Sequence, residues 1–387
     1  MTHIPLTILP KFLWKHIITC LTYADIVKLI MVNNQFDGIL NDDTWRKLFL
    51  ENRRHAIAIV KCSSSRINHF WKHAVESNIG FDTIGELLQF IVDDNTSDSF
   101  IYYKVFIKSG EYLFANPNRV NYILGKKPCS IEINGNKTVP CTSTLKYYDG
   151  NAPKYDGRDR GTLTITISKY FSVKHITFLN LYCIFQKYDF CTRWMPLEDD
   201  FSKTYDSMEL YMFNCIFDGF SRFVSSSINK IVIDSCQFNT WYTIHFRNIL
   251  YRYQAISKNI LKYNLGTNVE CIISNSLFAV EKYCINCHDT ITMQFINNRV
   301  INASSVFYYF NNKKSSIIIN NNNISNVKYL LQMCHNITIS NNVFTNVKKF
   351  DNGYSTNITL DDNNRFESCG TKFMDQVAQL QIENTIQ

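Results

Sequence analysis

Two patterns of apolar and polar residues divide the chain. The first fifty residues carry apolar positions at helical spacing. Leu9-Pro10 opens a run of Phe12, Leu13, Ile17, Ile18 and Leu21. Thr22 reads as a helix cap, with Asp25 in the first turn where the helix dipole favours a negative charge. Ile26, Leu29, Ile30 and Val32 carry a second helix, Phe36, Ile39 and Leu40 a third apolar group, and Trp45, Leu48 and Phe49 close the unit. A core of that size is marginal alone, so a neighbouring surface is expected to complete it. Residues 51–80 read as continuing helix, with Trp71, His73, Ala74 and Val75 on a packed face, and Ile84, Leu87, Leu88 and Ile91 as one more helix.

Beyond that helix the period shifts towards two. Tyr103 to Ile107 alternates and ends at Ser109-Gly110, Ile131 to Ile133 ends at Asn134-Gly135, and Thr162 to Ile167 repeats the idea. The stronger signal is internal repetition. Leu210 to Phe217, Ile231 to Phe238, Cys271 to Phe278, Met293 to Val300, Ile317 to Ile324 and Ile337 to Phe344 share one form. Two apolar residues alternate, an Asn-type corner follows, and an apolar anchor lies five residues beyond the second. The last anchors are Phe278, Val300, Ile324, Phe344 and Phe366, spaced by 22, 24, 20 and 22 residues, with one extra residue between Leu360 and Phe366. The gap of 40 from Phe238 to Phe278 is expected to hold two rungs, one of them poorly patterned.

Such turns cannot bury their apolar residues alone, but stacked turns make a continuous column. Strands this short at this period predict a right-handed, single-stranded parallel β-helix. The leucine-rich signature is absent, a propeller needs a longer repeat, and a helical solenoid would not alternate. Asn at a repeated corner can adopt the left-handed conformation, and stacked Asn side chains can hydrogen-bond along the column, so Asn321 and Asn341 are read as ladder residues. The expected organisation is a helical module over 1–50, a helical linker and cap over 51–98, the β-helix over 99–375 and a tail over 376–387. The fold class is mainly β, with a small N-terminal all-α module.

The N-terminal stretch resembles an F-box in the order Leu9-Pro10, Ile17, Leu21, Asp25-Ile26, Leu29, Val32, Phe36 and Trp45. Phe36 stands where the family more often has Trp. The resemblance covers about an eighth of the chain. It implies docking to a Skp1-like adaptor through Leu9, Pro10, Ile17, Leu21, Ile26 and Leu29. The alternative is an ordinary three-helix packing unit.

Parts of the solenoid resemble pectinesterase-like and pectate-lyase-like β-helices. These are Phe81 to Ile84, Val105 to Tyr112, Thr162 to Ile167, Ser172 to Asn180, and Phe213 to Gly219. The catalytic positions depart from that family. Where pectinesterases follow the Gly with Gln-Asp-Thr-Leu, this chain has Phe220-Ser221-Arg222-Phe223, and the later Asp-Phe-Ile-Phe-Gly stretch is replaced around Asn239 to Thr243. The mechanism needs two carboxylates and polarising donors on one face. Lyase chemistry would need a carboxylate cluster for calcium with a basic residue, whereas Asp149, Asp156, Asp159 and Arg160 are scattered in an insertion. No catalytic residue, cofactor or metal is assigned, and the chain is read as a non-enzyme.

Composition changes this picture little. Hydrophobic residues are 45% and charged residues 19%, so most of the chain should fold. The 28 Phe and 22 Tyr suit strands, and 42 Asn suit corners. A formal charge of +7 over 387 residues is too mild to argue for nucleic acid or a membrane surface, and neither is expected as a partner. Arg53-Arg54-His55 reads as a solvated helix end. No signal peptide or spanning helix is legible. The 13 Cys read as buried free thiols of a reducing compartment, and the sequons at Asn336 and Asn357 as unmodified. Cys284-Ile285-Asn286-Cys287-His288 matches a c-type haem attachment signature but is read as packing at a corner between rungs. His69 and His73 lack further ligands for a metal.

An F-box joined to a β-helix also occurs in eukaryotic F-box proteins. The implied role is the substrate-recognition subunit of a Skp1–cullin–F-box ubiquitin ligase. The rivals are a carbohydrate-active β-helix enzyme and a structural scaffold. Target recognition is expected on the insertions 147–160, 186–206 and 241–265, which bring Tyr147, Tyr148, Tyr155, Trp194, Trp241 and Tyr251. Heavy use of Asn, Lys, Ile, Tyr and Phe fits an AT-rich genome. A large DNA virus that redirects host ubiquitination is one fitting source, with the protein then in the cytoplasm or nucleus of an infected cell.

Overall fold

The structure is a computed structural model. It describes residues 10–22, 25, 26, 28, 29, 40–63, 70–76, 79–94, 101–113, 120–123, 129–137, 141–146, 162–167, 170–179, 181–187, 208–219, 221–226, 228–246, 269–287, 290–310 and 313–386. The fold is a parallel β-helix with helices at its N-terminal end and one helix closing its C-terminal end.

One face of the solenoid is a twelve-stranded sheet. From Ile101–Ile107 to Thr356–Leu360 every neighbouring pair in it is parallel. The second face runs from Gly110–Leu113 to Arg365–Glu367, and a third is made by strands such as Tyr182–Lys187, Ser305–Tyr308 and Tyr329–Gln332. Inward residues alternate with outward ones: Ile317 and Ile319 are buried, while Ile318 between them is exposed.

The anchors read from sequence form one stacked column. Phe217 lies opposite Phe238, then Phe278, Val300, Ile324, Phe344 and Phe366, each in register with the next. Ring centroids of Phe178, Phe217, Phe238 and Phe278 follow at 4.8, 4.9 and 4.8 Å, the spacing of neighbouring strands. The direct pairing of Phe238 with Phe278 corrects one expectation. The 40-residue gap is a single rung with a long insertion, not two rungs.

Corners are where Asn acts. Ten of the fifteen described non-glycine residues with positive φ are Asn, a residue that tolerates the left-handed region because its amide can bond locally. Asn321, at φ 56°, donates to Asn297 at 2.6 Å. Asn341, also at φ 56°, donates to Asn320 at 3.0 Å. A second, buried ladder sits one residue later, at Asn298, Asn322, Asn342 and Asn364. The backbone N–H groups of Asn298, Asn322 and Asn342 each donate to the side-chain oxygen of the next rung's Asn, at 2.8, 2.8 and 3.0 Å. The sequon residues belong to these corners: Asn336 donates to the Ser315 carbonyl at 3.0 Å, and Asn357 donates to Asn336.

The N-terminal end differs from expectation. Residues 51–80 are not continuous helix. Ile57–Ser63 is a strand that pairs antiparallel with Ile101–Ile107 over seven residues. Ile57 and Ile59 point into the solenoid core, while Ala58 and Val60 join Phe49, Ala74 and Phe106 in a separate cluster. The run is apolar on both faces because it is buried on both. Arg53 is buried, not solvated, and its carbonyl accepts from Lys108 Nζ at 2.7 Å. Helices α1 (Lys11–Cys20), α2 (Asp42–Asn52) and α3 (Phe70–Glu76) lie outside the solenoid core, beyond the strand Ile57–Ser63, which forms a seam; α4 (Ile84–Asp94) inserts Ile84, Leu87, Leu88 and Ile91 into the end of the solenoid core. The expected C-terminal tail is helix α5 (Thr371–Ile386).

The twelve described cysteines are thiols rather than disulfides, and ten are buried. Cys284 and Cys287 are core residues inside the strand Leu277–Cys287, not at a corner, and His288 lies outside the described residues. Burial pushes the Cys141 thiol up to about 11 and Cys334 to about 12, which slows attack by the thiolate. Thiol labelling of the native protein should therefore lose fast-phase amplitude in Cys20→Ser, whose thiol is exposed. Cys183→Ser should leave that phase unchanged, and a smaller fast phase there would contradict the packing.

Candidate docking surface and comparisons with known proteins

The described part of the N-terminal unit is built from α1, residues 25, 26, 28 and 29 of a second helix, and α2. Pro10 precedes α1, and its carbonyl accepts from Leu13 and Trp14 at 2.9 and 3.3 Å. Thr22 caps the next helix as expected: its hydroxyl donates to Asp25 at 2.5 Å and accepts from the Asp25 N–H at 3.3 Å. The Thr22 hydroxyl hydrogen bond holds the Asp25 carboxyl below its ordinary value. Asn41 caps α2 by accepting from the Thr44 N–H at 3.0 Å. The core of the unit is Ile18, Ile26, Leu40, Trp45 and Leu48, with Leu21, Trp71 and Val75 against it.

Helix α1 is apolar on two sides. Trp14 and Ile18 face inward at 2% and 4% exposure, whereas Phe12, Leu13 and Ile17 are 69%, 38% and 37% exposed. Of the residues carried over from the F-box resemblance, Pro10 is exposed and Ile17 lies in this outer patch. Leu21 and Leu29 are half-buried. Ile26, at 1% exposure, is in the core of the unit and holds its helices together rather than facing a partner. Leu9, Val32 and Phe36 lie outside the described residues. Phe12 and Leu13 are not among the residues that the F-box resemblance implies; their signal is that the apolar run of α1 is wider than one buried face needs.

The solenoid places charged and aromatic side chains on its long outer face. Lys104 Nζ lies 3.5 Å from Glu132. Burial alone would raise the Glu132 carboxyl, but Tyr102, Lys104 and Lys174 together hold it below its ordinary value. Tyr211 donates to Glu209 at 2.7 Å, and its ring lies 5.2 Å from that of Tyr170. A glycosidase needs a carboxyl raised enough to act as general acid, and Glu132 is shifted the opposite way. Where the pectinesterase resemblance breaks, Ser221 is buried, donates to the Phe178 carbonyl at 2.7 Å and accepts from Leu181 N–H at 3.1 Å. Phe223 beside it is core. Both are structural.

Among the described residues no group of three or more His, Cys, Asp or Glu is placed to hold a metal, and no helix is long and apolar enough to cross a membrane. His69 lies outside the described residues. So do 147–161, 188–207 and 247–268, which contain most of the insertions expected to recognise a target.

No family model and no curated protein matches the chain. Among solved structures it is similar to tailspike protein 3 of bacteriophage CBA120, with 12% identity and a TM-score of 0.23 over 69% of this chain and 56% of that one. The chain thus spans just over half of the tailspike's length, and a likeness of that size says nothing of function. The stacked registers themselves make the protein a parallel β-helix.

Proposed function

We propose that the chain is the target-recognition subunit of a Skp1–cullin–F-box type ubiquitin ligase. The N-terminal helices dock a Skp1-like adaptor, and the β-helix presents a target protein. The observation that carries this reading is the outer face of α1, where Phe12, Leu13 and Ile17 stay exposed although the same helix already packs Trp14 and Ile18 inward. Exposed apolar clusters beside a polar rim mark interaction sites, and the order of the F-box-like residues gives the partner. Such a subunit does no chemistry; it raises the target's effective concentration near the ubiquitin-loaded enzyme.

A binding assay with purified Skp1 tests it. The intact chain should bind, and both Leu9→Ala/Pro10→Ala and Phe12→Asp/Ile17→Asp should lose about tenfold or more of the affinity. The second pair changes surface residues and should leave the melting temperature nearly unchanged. No binding by the folded intact chain would end the ligase reading and leave the helices as a cap on the solenoid.

A further inference from the structure

The net charge is unevenly placed. Residues 290–350 contain no Asp and no Glu, but do contain Arg299, Lys313, Lys314, Lys328, Lys348 and Lys349. Six of the seven net positive charges of the chain lie in these 61 residues. They form consecutive rungs near the C-terminal end.

Three of the lysines meet on the third face. Tyr329 stands opposite Ser305 on one side and Lys349 on the other. The Lys348 N–H donates to the Val327 carbonyl and the Lys349 N–H to the Lys328 carbonyl, at 2.9 and 3.0 Å. Lys348 therefore stacks on Lys328, and Lys349 on Tyr329. Two of the three ammonium groups converge on one ring: Lys328 Nζ is 5.2 Å and Lys349 Nζ 5.4 Å from the Tyr329 centroid. None of Lys328, Lys348 and Lys349 has an ion pair among the described residues. The next acid in sequence, Asp351, is buried, with its carboxylate accepting from the N–H groups of Gly353 and Ser355 at 2.6 and 3.1 Å. Like charges on neighbouring strands repel, and among the described residues no carboxylate pairs with these three.

We infer that this face, centred on Lys328, Tyr329, Lys348 and Lys349, receives an acidic segment of a partner protein. The inference deepens the receptor reading by giving the target's chemistry, and rests on it only for the target being a protein. Carboxylates would sit between the stacked ammonium groups, with Tyr329 as the apolar floor. A single-stranded nucleic acid fits less well. It needs aromatic ring faces open to bases, whereas Tyr329 already lies under two ammonium groups and Tyr308 stacks on Tyr283 at 4.3 Å.

The test uses the full chain without adaptor, so that its outcome is independent of Skp1 docking. Fluorescence anisotropy compares a labelled Glu-Ser alternating peptide, its Gln-Ser counterpart, and an oligo-uridine of equal charge. The Glu peptide should bind and the Gln peptide should not. Lys328→Gln/Lys349→Gln should weaken binding about tenfold, Lys328→Arg/Lys349→Arg should retain it, and Lys137→Gln/Lys372→Gln should change it less than about twofold at equal net charge. Tighter binding of the oligo-uridine would overturn the partner class. Equal loss in both Gln pairs, or no binding at low salt, would overturn the site.

Discussion

Asn342→Ala should be among the most damaging single changes in the solenoid. The Asn342 side chain donates to the carbonyls of Ile319 and Ser340 at 2.9 and 2.8 Å, and its oxygen accepts from the Asn322 N–H at 2.8 Å. All of this takes place in a fully buried position. Alanine leaves two carbonyls and one N–H without these bonds and opens a space beside them. Each buried group left unpaired costs about 1–3 kcal/mol, and some relaxation is expected, so a loss of about 3–5 kcal/mol follows. Asn341→Gly is the matching control. It removes the exposed amide one residue earlier but keeps a residue content with φ of 56°, and should cost less than about 1 kcal/mol. Urea unfolding of the two variants separates them. Equal midpoints would mean that the inner ladder is dispensable.

Phe373→Ala should release the C-terminal cap. Phe373 is fully buried, with its ring 5.9, 5.5 and 5.7 Å from those of Phe344, Phe350 and Phe366. Removal of a core ring costs about 3–5 kcal/mol, and this ring is the largest side chain that the helix buries in the solenoid core. Undocking α5 also frees the N–H groups of Phe350 and Asp351, which donate to Gln376 at 3.0 and 3.2 Å. The last strands, Thr356–Leu360 and Arg365–Glu367, would then present an open edge, and such edges template pairing with other chains. Sedimentation should show concentration-dependent association of Phe373→Ala and of a chain ending at Gly370, at concentrations where the parent is monodisperse. A monodisperse truncated chain would show that the terminal rung protects itself.

The solenoid was legible because its period is a packing requirement. Phe278, Val300, Ile324, Phe344 and Phe366 must fall in one column, and they do. The corners were legible because Asn is the side chain that best tolerates a left-handed turn. What escaped had equally physical reasons. Ile57-Ala58-Ile59-Val60 shows no alternation, since each of its faces is packed against a different core, and an apolar run of that kind does not distinguish strand from helix. The length between Phe238 and Phe278 misled because an insertion changes chain length without changing register. The outer ladder through Asn321 and Asn341 was legible, but the buried one beside it was not, because adjacent Asn residues divide the work. The first takes the turn and the second turns inward. On the candidate docking surface, Ile26 and Ile17 look alike in sequence. Only packing separates the buried one from the exposed one.

The seam strand Ile57–Ser63 makes the solenoid a ruler. Its hydrogen bonds hold it to the first rung over seven residues, and its outer face is packed into the helical unit, so the N-terminal helices have a fixed mount rather than a tether. Ten parallel strands follow one another along the long face, and at about 4.8 Å each they span about 43 Å. Insertions at the corners lengthen the chain but leave that span unchanged. Only adding or removing a whole rung alters it, in steps of about 4.8 Å. Whatever binds the far rungs is thus held at a distance from the helical end that is set by the number of rungs.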